Sequence, residues 1–163
     1  MATNDRPHAD YFLKIDGIDG ESQDSKHPNE IQVADFKLNV ANRGRRGDYK
    51  VGKAVHNDAW FQAYVDQSYP KFKKGMLNGD RPATAVLSCR KAGKLQYDYL
   101  RVTLFDVELL SCTLNTSGSV SPLVEFTLGF AKKQVDYKEQ KQDGSLSGAI
   151  TAIADLHGKR SGS

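Results

Sequence analysis

The sequence predicts a mainly β domain: about eight short strands forming a β-barrel or β-sandwich, with one helix packed on its side or end. Three observations predict it. Segments that alternate apolar and polar residues recur along most of the chain. Clusters of Gly, Asn, Asp, Ser and Pro stand between them. One segment alone, after Ser68, has apolar residues at helical spacing. A chain of 163 residues, 39% hydrophobic and 26% charged, is the size of one domain with one core.

Tyr11 to Asp16 reads as the first strand, with Tyr11, Leu13 and Ile15 on one face. Gly17 to Asn29 is turn chemistry, with two glycines, Ser22, Ser25, Pro28 and several acids. Glu30 to Val40 reads as a second strand, in which Phe36, Leu38 and Val40 alternate with Lys37 and Asn39. Ala41 to Gly52 is a polar, basic loop, long enough to suggest a function. Trp60 to Val65 is apolar enough for a strand. The helix follows. Ser68 is its expected N-cap, and Pro70 lies in the first turn, where a missing N–H is harmless. Tyr69, Phe72, Met76 and Leu77 form its apolar stripe. Lys71, Lys73 and Lys74 lie off the stripe, the last two toward the C-terminal end, where the helix dipole favours cations. Asn78-Gly79 ends it.

Strands fill the rest. Ala83 to Arg90 is one, and Gln96 to Glu108 another. Leu109 to Asn115 either continues that strand or folds back. Leu123 to Tyr137 has the clearest period of two: Val124, Phe126, Leu128 and Phe130 against Glu125, Thr127 and Gly129. Gln142 to Ser145 is a turn, and Ala149 to Leu156 a last short strand. Residues 1–10 and 158–163 are expected to be flexible tails around a single domain spanning 11–157.

Several function classes find no support. No stretch approaches the roughly 20 apolar residues of a membrane span, so membrane insertion is not expected. Met1 to Asp10 is polar, so no cleaved secretory signal is visible. Cys89 and Cys112 sit in apolar segments and read as buried free thiols. The histidines (His8, His27, His56, His157) and the two cysteines lack zinc spacing. The acids Asp16, Asp19, Glu21 and Asp24 lack the full calcium-loop pattern and read as a solvated turn. Ser88-Cys89-Arg90 could be a nucleophile beside a cation, but alternation puts Cys89 with Ala85 and Leu87, in the core. No phosphate-binding glycine loop occurs. Neither an enzyme, a metal site nor a cofactor is expected.

The charge distribution is more informative than the net +3. Residues 1–40 carry eight acids against four bases; the next sixteen carry five bases against Asp48. The basic loop holds Arg43, Arg45, Arg46, Asp48, Lys50 and Lys53. It could contact nucleic acid, through arginines for phosphates and Tyr49 for stacking. It could be an exposed hairpin tip. It could also dock on an acidic surface of another copy, for which Asp16, Asp19, Glu21, Asp24, Glu30 and Asp35 are candidates. A contact between unlike surfaces propagates unless it closes into a ring.

The order of segments resembles the Hcp family, the tube proteins of the bacterial type VI secretion system. Phe12-Leu-Lys-Ile-Asp-Gly-Ile-Asp-Gly-Glu-Ser22, His27 and Glu30-Ile-Gln-Val33 are similar to its opening strand, Gly-Glu-Ser turn and next strand. Ser68-Tyr-Pro-Lys-Phe72 through Gly79 resembles its single helix. Ala85 to Gly93, Leu123 to Phe130, Val135-Asp-Tyr137 and Asp143-Gly144 resemble its later strands and turns. The C-terminal Ile153-Ala-Asp-Leu-His157 departs from a tryptophan-bearing segment of many relatives. The resemblance implies a compact β-barrel of about eight strands with one short α-helix packed on the side. It also implies a homo-hexameric ring, ring-on-ring stacking, a contractile sheath and a spike protein as partners, and effector cargo. On this reading the protein assembles in the cytoplasm and is secreted without a cleaved signal peptide. The basic loop is then the expected ring-stacking element.

Overall fold

The structure is a computed structural model, and it describes residues 10–42, 54–56, 58–91, 96–116 and 121–156. It contains β1 (Asp10–Ile15), β2 (Ile31–Lys37), β3 (Val40–Asn42), β4 (Ala54–His56), β5 (Ala59–Tyr64), α1 (Ser68–Asn78), β6 (Thr84–Arg90), β7 (Asp98–Phe105), β8 (Glu108–Asn115), β9 (Leu123–Gly129), β10 (Lys132–Tyr137) and β11 (Ile150–Asp155). Nine strands form one antiparallel sheet in the order β11-β10-β7-β6-β1-β2-β5-β9-β8, and β3 pairs with β4 separately.

That order forces the sheet to curl. β7 and β8 stand six strand spacings apart, which in a flat sheet is about 29 Å. Only Asp106 and Val107 join them, a link of at most about 11 Å. Phe130 and Ala131 join β9 to β10 under the same constraint. The two corners lock together: the Ala131 amide donates to the Phe105 carbonyl at 2.9 Å, and Val107 is fully buried. Asp106 takes a positive φ of 52°, which bends the chain at this point. The result is the expected barrel-like fold with a side helix, but its sheet is not closed: β8 and β11 remain edges. Leu13, Ile15, Ile31, Phe61, Leu87, Leu104, Phe126 and Leu128 fill the interior.

Several expected boundaries shift. Among the described residues there are eleven strands rather than about eight, because two long apolar runs each divide and β4 forms where no strand is expected. Glu30–Val40 divides into β2 and β3, and the flanks of the basic loop become the β3–β4 pair. Leu109 to Asn115 folds back as β8, paired with β9. The run from Leu123 to Tyr137 breaks at the Phe130–Ala131 corner. Asp10, expected in a tail, opens β1 opposite Arg90. The remaining tail residues, 1–9 and 158–163, and His157 at the end of the expected domain lie outside the described residues.

The helix also departs in detail. Gln67, not Ser68, is the capping residue, and its side chain does not cap. Asp66 does that work: its Oδ1 accepts the Ser68 amide at 2.8 Å and also the Ser68 hydroxyl. Lys73 and Lys74 stop short of the last turn. Phe72 is buried against Phe126, ring centres 4.5 Å apart. Leu77 is 76% exposed; Gly75 takes the buried position instead. A Cβ on Gly75 would lie 3.0 Å from Leu109 Cδ1, so β8 can approach closely there. Gly79, with φ 71°, closes the helix in the left-handed conformation.

Candidate assembly surfaces

The register gives the barrel two unlike ends. β1 finishes at Ile15 beside Ala85 near the start of β6, and β5 finishes at Tyr64, directly before α1. This is the helix end. At the other end lie Asp10, Arg90, Lys37 and Trp60. Only two residues separate Lys37 from β3, and only two separate β4 from β5. This is the hairpin end. β3 and β4 flank the basic loop, whose Arg43, Arg45, Arg46, Asp48, Lys50 and Lys53 lie outside the described residues.

The six candidate acids do not form one surface. Asp16, Asp19 and Glu21 cluster at the helix end. Asp16 Oδ2 accepts the Thr84 amide at 3.0 Å, Asp19 stands 4.0 Å from Lys71 Nζ, and Glu21 accepts the Gln67 amide at 3.2 Å. All three are exposed. Asp35 is exposed too, but it pairs with Gln62 near Lys37, toward the hairpin end. Asp24 and Glu30 turn inward, because burying Arg90 and His27 requires carboxylates beside them. These two leave the acidic surface.

The inward pair belongs to a network the sequence did not reveal. Phe12 lies on the face of β1 opposite Leu13 and Ile15, yet is 1% exposed. Residues 17–30 fold over it as a strap. Gly20 and Ser22 donate their amides to the Asn29 and Glu30 carbonyls, at 2.9 and 3.0 Å. Gly20 is required there, since a Cβ would fall 2.5 Å from the Glu30 oxygen. His27 stacks on Phe12 at 4.5 Å. Its Nδ1 meets Glu30 Oε2 at 2.5 Å and its Nε2 meets Asp98 Oδ1 at 3.0 Å. Arg90 lies over the same ring and donates to Asp24 at 2.7 Å and Asp10 at 2.9 Å. Burial raises the Glu30 carboxyl above its usual range, although His27 opposes the shift. Burial also works to raise Asp24, but hydrogen bonds from Arg90 and from the Lys26 amide outweigh it and hold Asp24 below its usual range. A histidine between two acids could suggest a catalytic relay. Here both ring nitrogens face carboxylates, so neither is free to activate a nucleophile.

The thiols behave as structural residues. Burial pushes Cys89 up to about 12 and the half-buried Cys112 up to about 11. Both are free. Among the described residues no group of three or more His, Cys, Asp or Glu could hold a metal ion, and no helix is long and apolar enough to cross a membrane.

The open edges are apolar. Leu110 and Leu114 on β8 are 42% and 46% exposed; Ile150 and Ile153 on β11 are 68% and 59% exposed. Among the described residues β8 pairs only with β9, and β11 only with β10. Each therefore leaves one row of backbone donors and acceptors without a strand partner, beside apolar side chains.

Comparison with known proteins agrees with this fold. The family described as "Type VI secretion system effector, Hcp" matches residues 12–137. Protein hcp1 of Pseudomonas aeruginosa is 37% identical over 144 residues, covering 85% of this chain and 89% of that one. The crystal structure of Hcp1 from Salmonella typhimurium superposes with a TM-score of 0.77 at 30% identity, covering 93% of this chain and 97% of that one. A type VI secretion system effector from Yersinia pestis gives 0.74 at 33% identity, covering 90% and 99%.

Proposed function

The chain belongs to the Hcp family of the type VI secretion system, and from that premise we propose that it acts as hexameric rings stacked head to tail. It is a tube protein of that system and a secreted one. The observation that carries the stacking reading is the polarity of the barrel. The helix end exposes Asp16, Asp19 and Glu21; the opposite end carries the strands that flank Arg43, Arg45 and Arg46. Unlike ends of this kind make a heterologous contact that repeats along one axis. The two apolar edges, β8 and β11, support a lateral contact between neighbours, again between unlike surfaces, which closes when six copies complete a ring.

On this reading the contractile sheath and the spike protein are partners, and effectors are cargo. On the same reading its role is structural rather than catalytic. No finding supports the alternative of a basic nucleic-acid binder. Reversing both Arg45 and Arg46 to Glu tests the stacking contact. Light scattering should still give a six-subunit mass, while sedimentation and electron microscopy show fewer tubes. Unchanged tube formation would sink the role of the basic loop, and a monomeric mass would sink the ring.

A further inference from the structure

The strap over Phe12 has a proton requirement. His27 is 5% exposed, and each of its ring nitrogens lies within hydrogen-bonding distance of a carboxylate oxygen. Each of those bridges needs a proton. Neutral imidazole has one, so the closed arrangement binds one more. That proton rests on the imidazole or on Glu30, whose carboxyl burial already pushes up. The count is the same in either case.

We propose that His27 is a proton-dependent latch: it holds the 17–30 strap closed on β1, β6 and β7, and with it the acidic end surface on which a second copy of this chain stacks. The stacking half of this rests on the tube reading; the latch itself does not. Asp19 and Glu21 are strap residues, and Glu21 reaches α1 only while the strap is down.

The charges around His27 fix the direction of the effect. The strap brings Asp24, Lys26 and Glu30; β1 brings Asp10 and Lys14. β6 brings Arg90, and β7 brings Asp98 and Arg101. Arg90 is matched by Asp10 and Asp24. Lys26 donates to the Gln96 carbonyl, and Arg101 reaches Asp98 only at 3.8 Å. Lys14 acts on Glu30 only through space, so among the described residues His27 is the one cationic side chain within hydrogen-bonding distance of Glu30 and of Asp98. Above the ordinary histidine range of about 6.5 the open strap's imidazole is neutral and the closed strap holds one proton more, so closure weakens as pH rises there, by up to about tenfold in the closed-to-open ratio per pH unit; below that range both states are protonated and the ratio is level. The Asp24–Arg90 pair works in the opposite direction. With Asp24 held low, its contribution is present above the ordinary carboxylate range and is lost only as pH falls through that lowered value.

Hydrogen–deuterium exchange on the full chain tests the latch, read at the Gly20, Ser22 and Asn29 amides and corrected for intrinsic rate. Protection should be level between about pH 5 and 6 and should fall between about pH 7 and 9, by up to about tenfold per unit. In Glu30→Gln the side-chain amide donates to a neutral ring, so the strap should stay protected and the slope flatten. His27→Gln should be deprotected throughout. Flat protection in the native chain, or a full slope in Glu30→Gln, overturns the latch. Sedimentation of tubes over the same range tests the stacking half separately. Tubes that persist where the strap amides are open overturn that half and leave the latch standing.

Discussion

The strap face and the two edge strands handle exposed surface in opposite ways. Beneath the strap the chain covers Phe12 with its own residues and sets four carboxylates against Arg90 and His27, so the buried charges are matched within one copy, although Arg90 Nε has no hydrogen-bond partner among the described residues. Along β8 and β11 it leaves leucines and isoleucines on strands that, among the described residues, have a strand neighbour on one side only. The first region matches its buried charges within one copy, whereas the second is complete only when something covers it. The difference shows which surfaces serve the monomer and which serve assembly.

The comparison can be broken most severely at Arg90. Arg90→Ala removes the partner of Asp24 and Asp10 beneath the strap, and breaking such a buried pair costs about 3–5 kcal/mol. Urea denaturation should show that loss; a loss under about 1 kcal/mol would mean the network is not buried as described. Gly20→Ala should cost less, about 1–3 kcal/mol, because its Cβ meets the Glu30 carbonyl and the strap must shift. Exchange at the Ser22 amide should rise, and an unaltered rate would disprove the close approach.

The edges should respond the other way. Ile150→Ser with Ile153→Ser should change the stability of the unassembled fold by no more than about 0.5 kcal/mol each. Light scattering should nonetheless show loss of the six-subunit species. Rings of normal mass would remove β11 from the lateral contact. The smallest effect sharpens the view of β8. At about pH 8 both thiols are protonated, so a maleimide should label Cys112 slowly and Cys89 only on unfolding. Equal labelling of the two would contradict their placement.

Most of the fold was legible in the residues. The alternation of Val124, Phe126 and Leu128, the core position of Cys89 and the helix around Phe72 follow from local periodicity. The breaks within long apolar runs were not legible. Both faces of a corner residue such as Ala131 or Val107 are covered, so the period of two gives no sign of the bend. The acidic surface was half legible. Asp16, Asp19 and Glu21 are where a solvated turn would put them, while Asp24 and Glu30 look identical in sequence and are not exposed in the same way.

The sequence by itself determined the fold class, the single helix, the family and the unequal distribution of charge, because these depend on residue type and on neighbours a few positions apart. Only the tertiary structure decided which acids face solvent, which strands remain edges and what His27 touches. Asp98 lies 71 residues from His27, and Arg90 lies 80 from Asp10. Contacts at that separation are set by the curl of the sheet and by strand register, and no local pattern encodes either one.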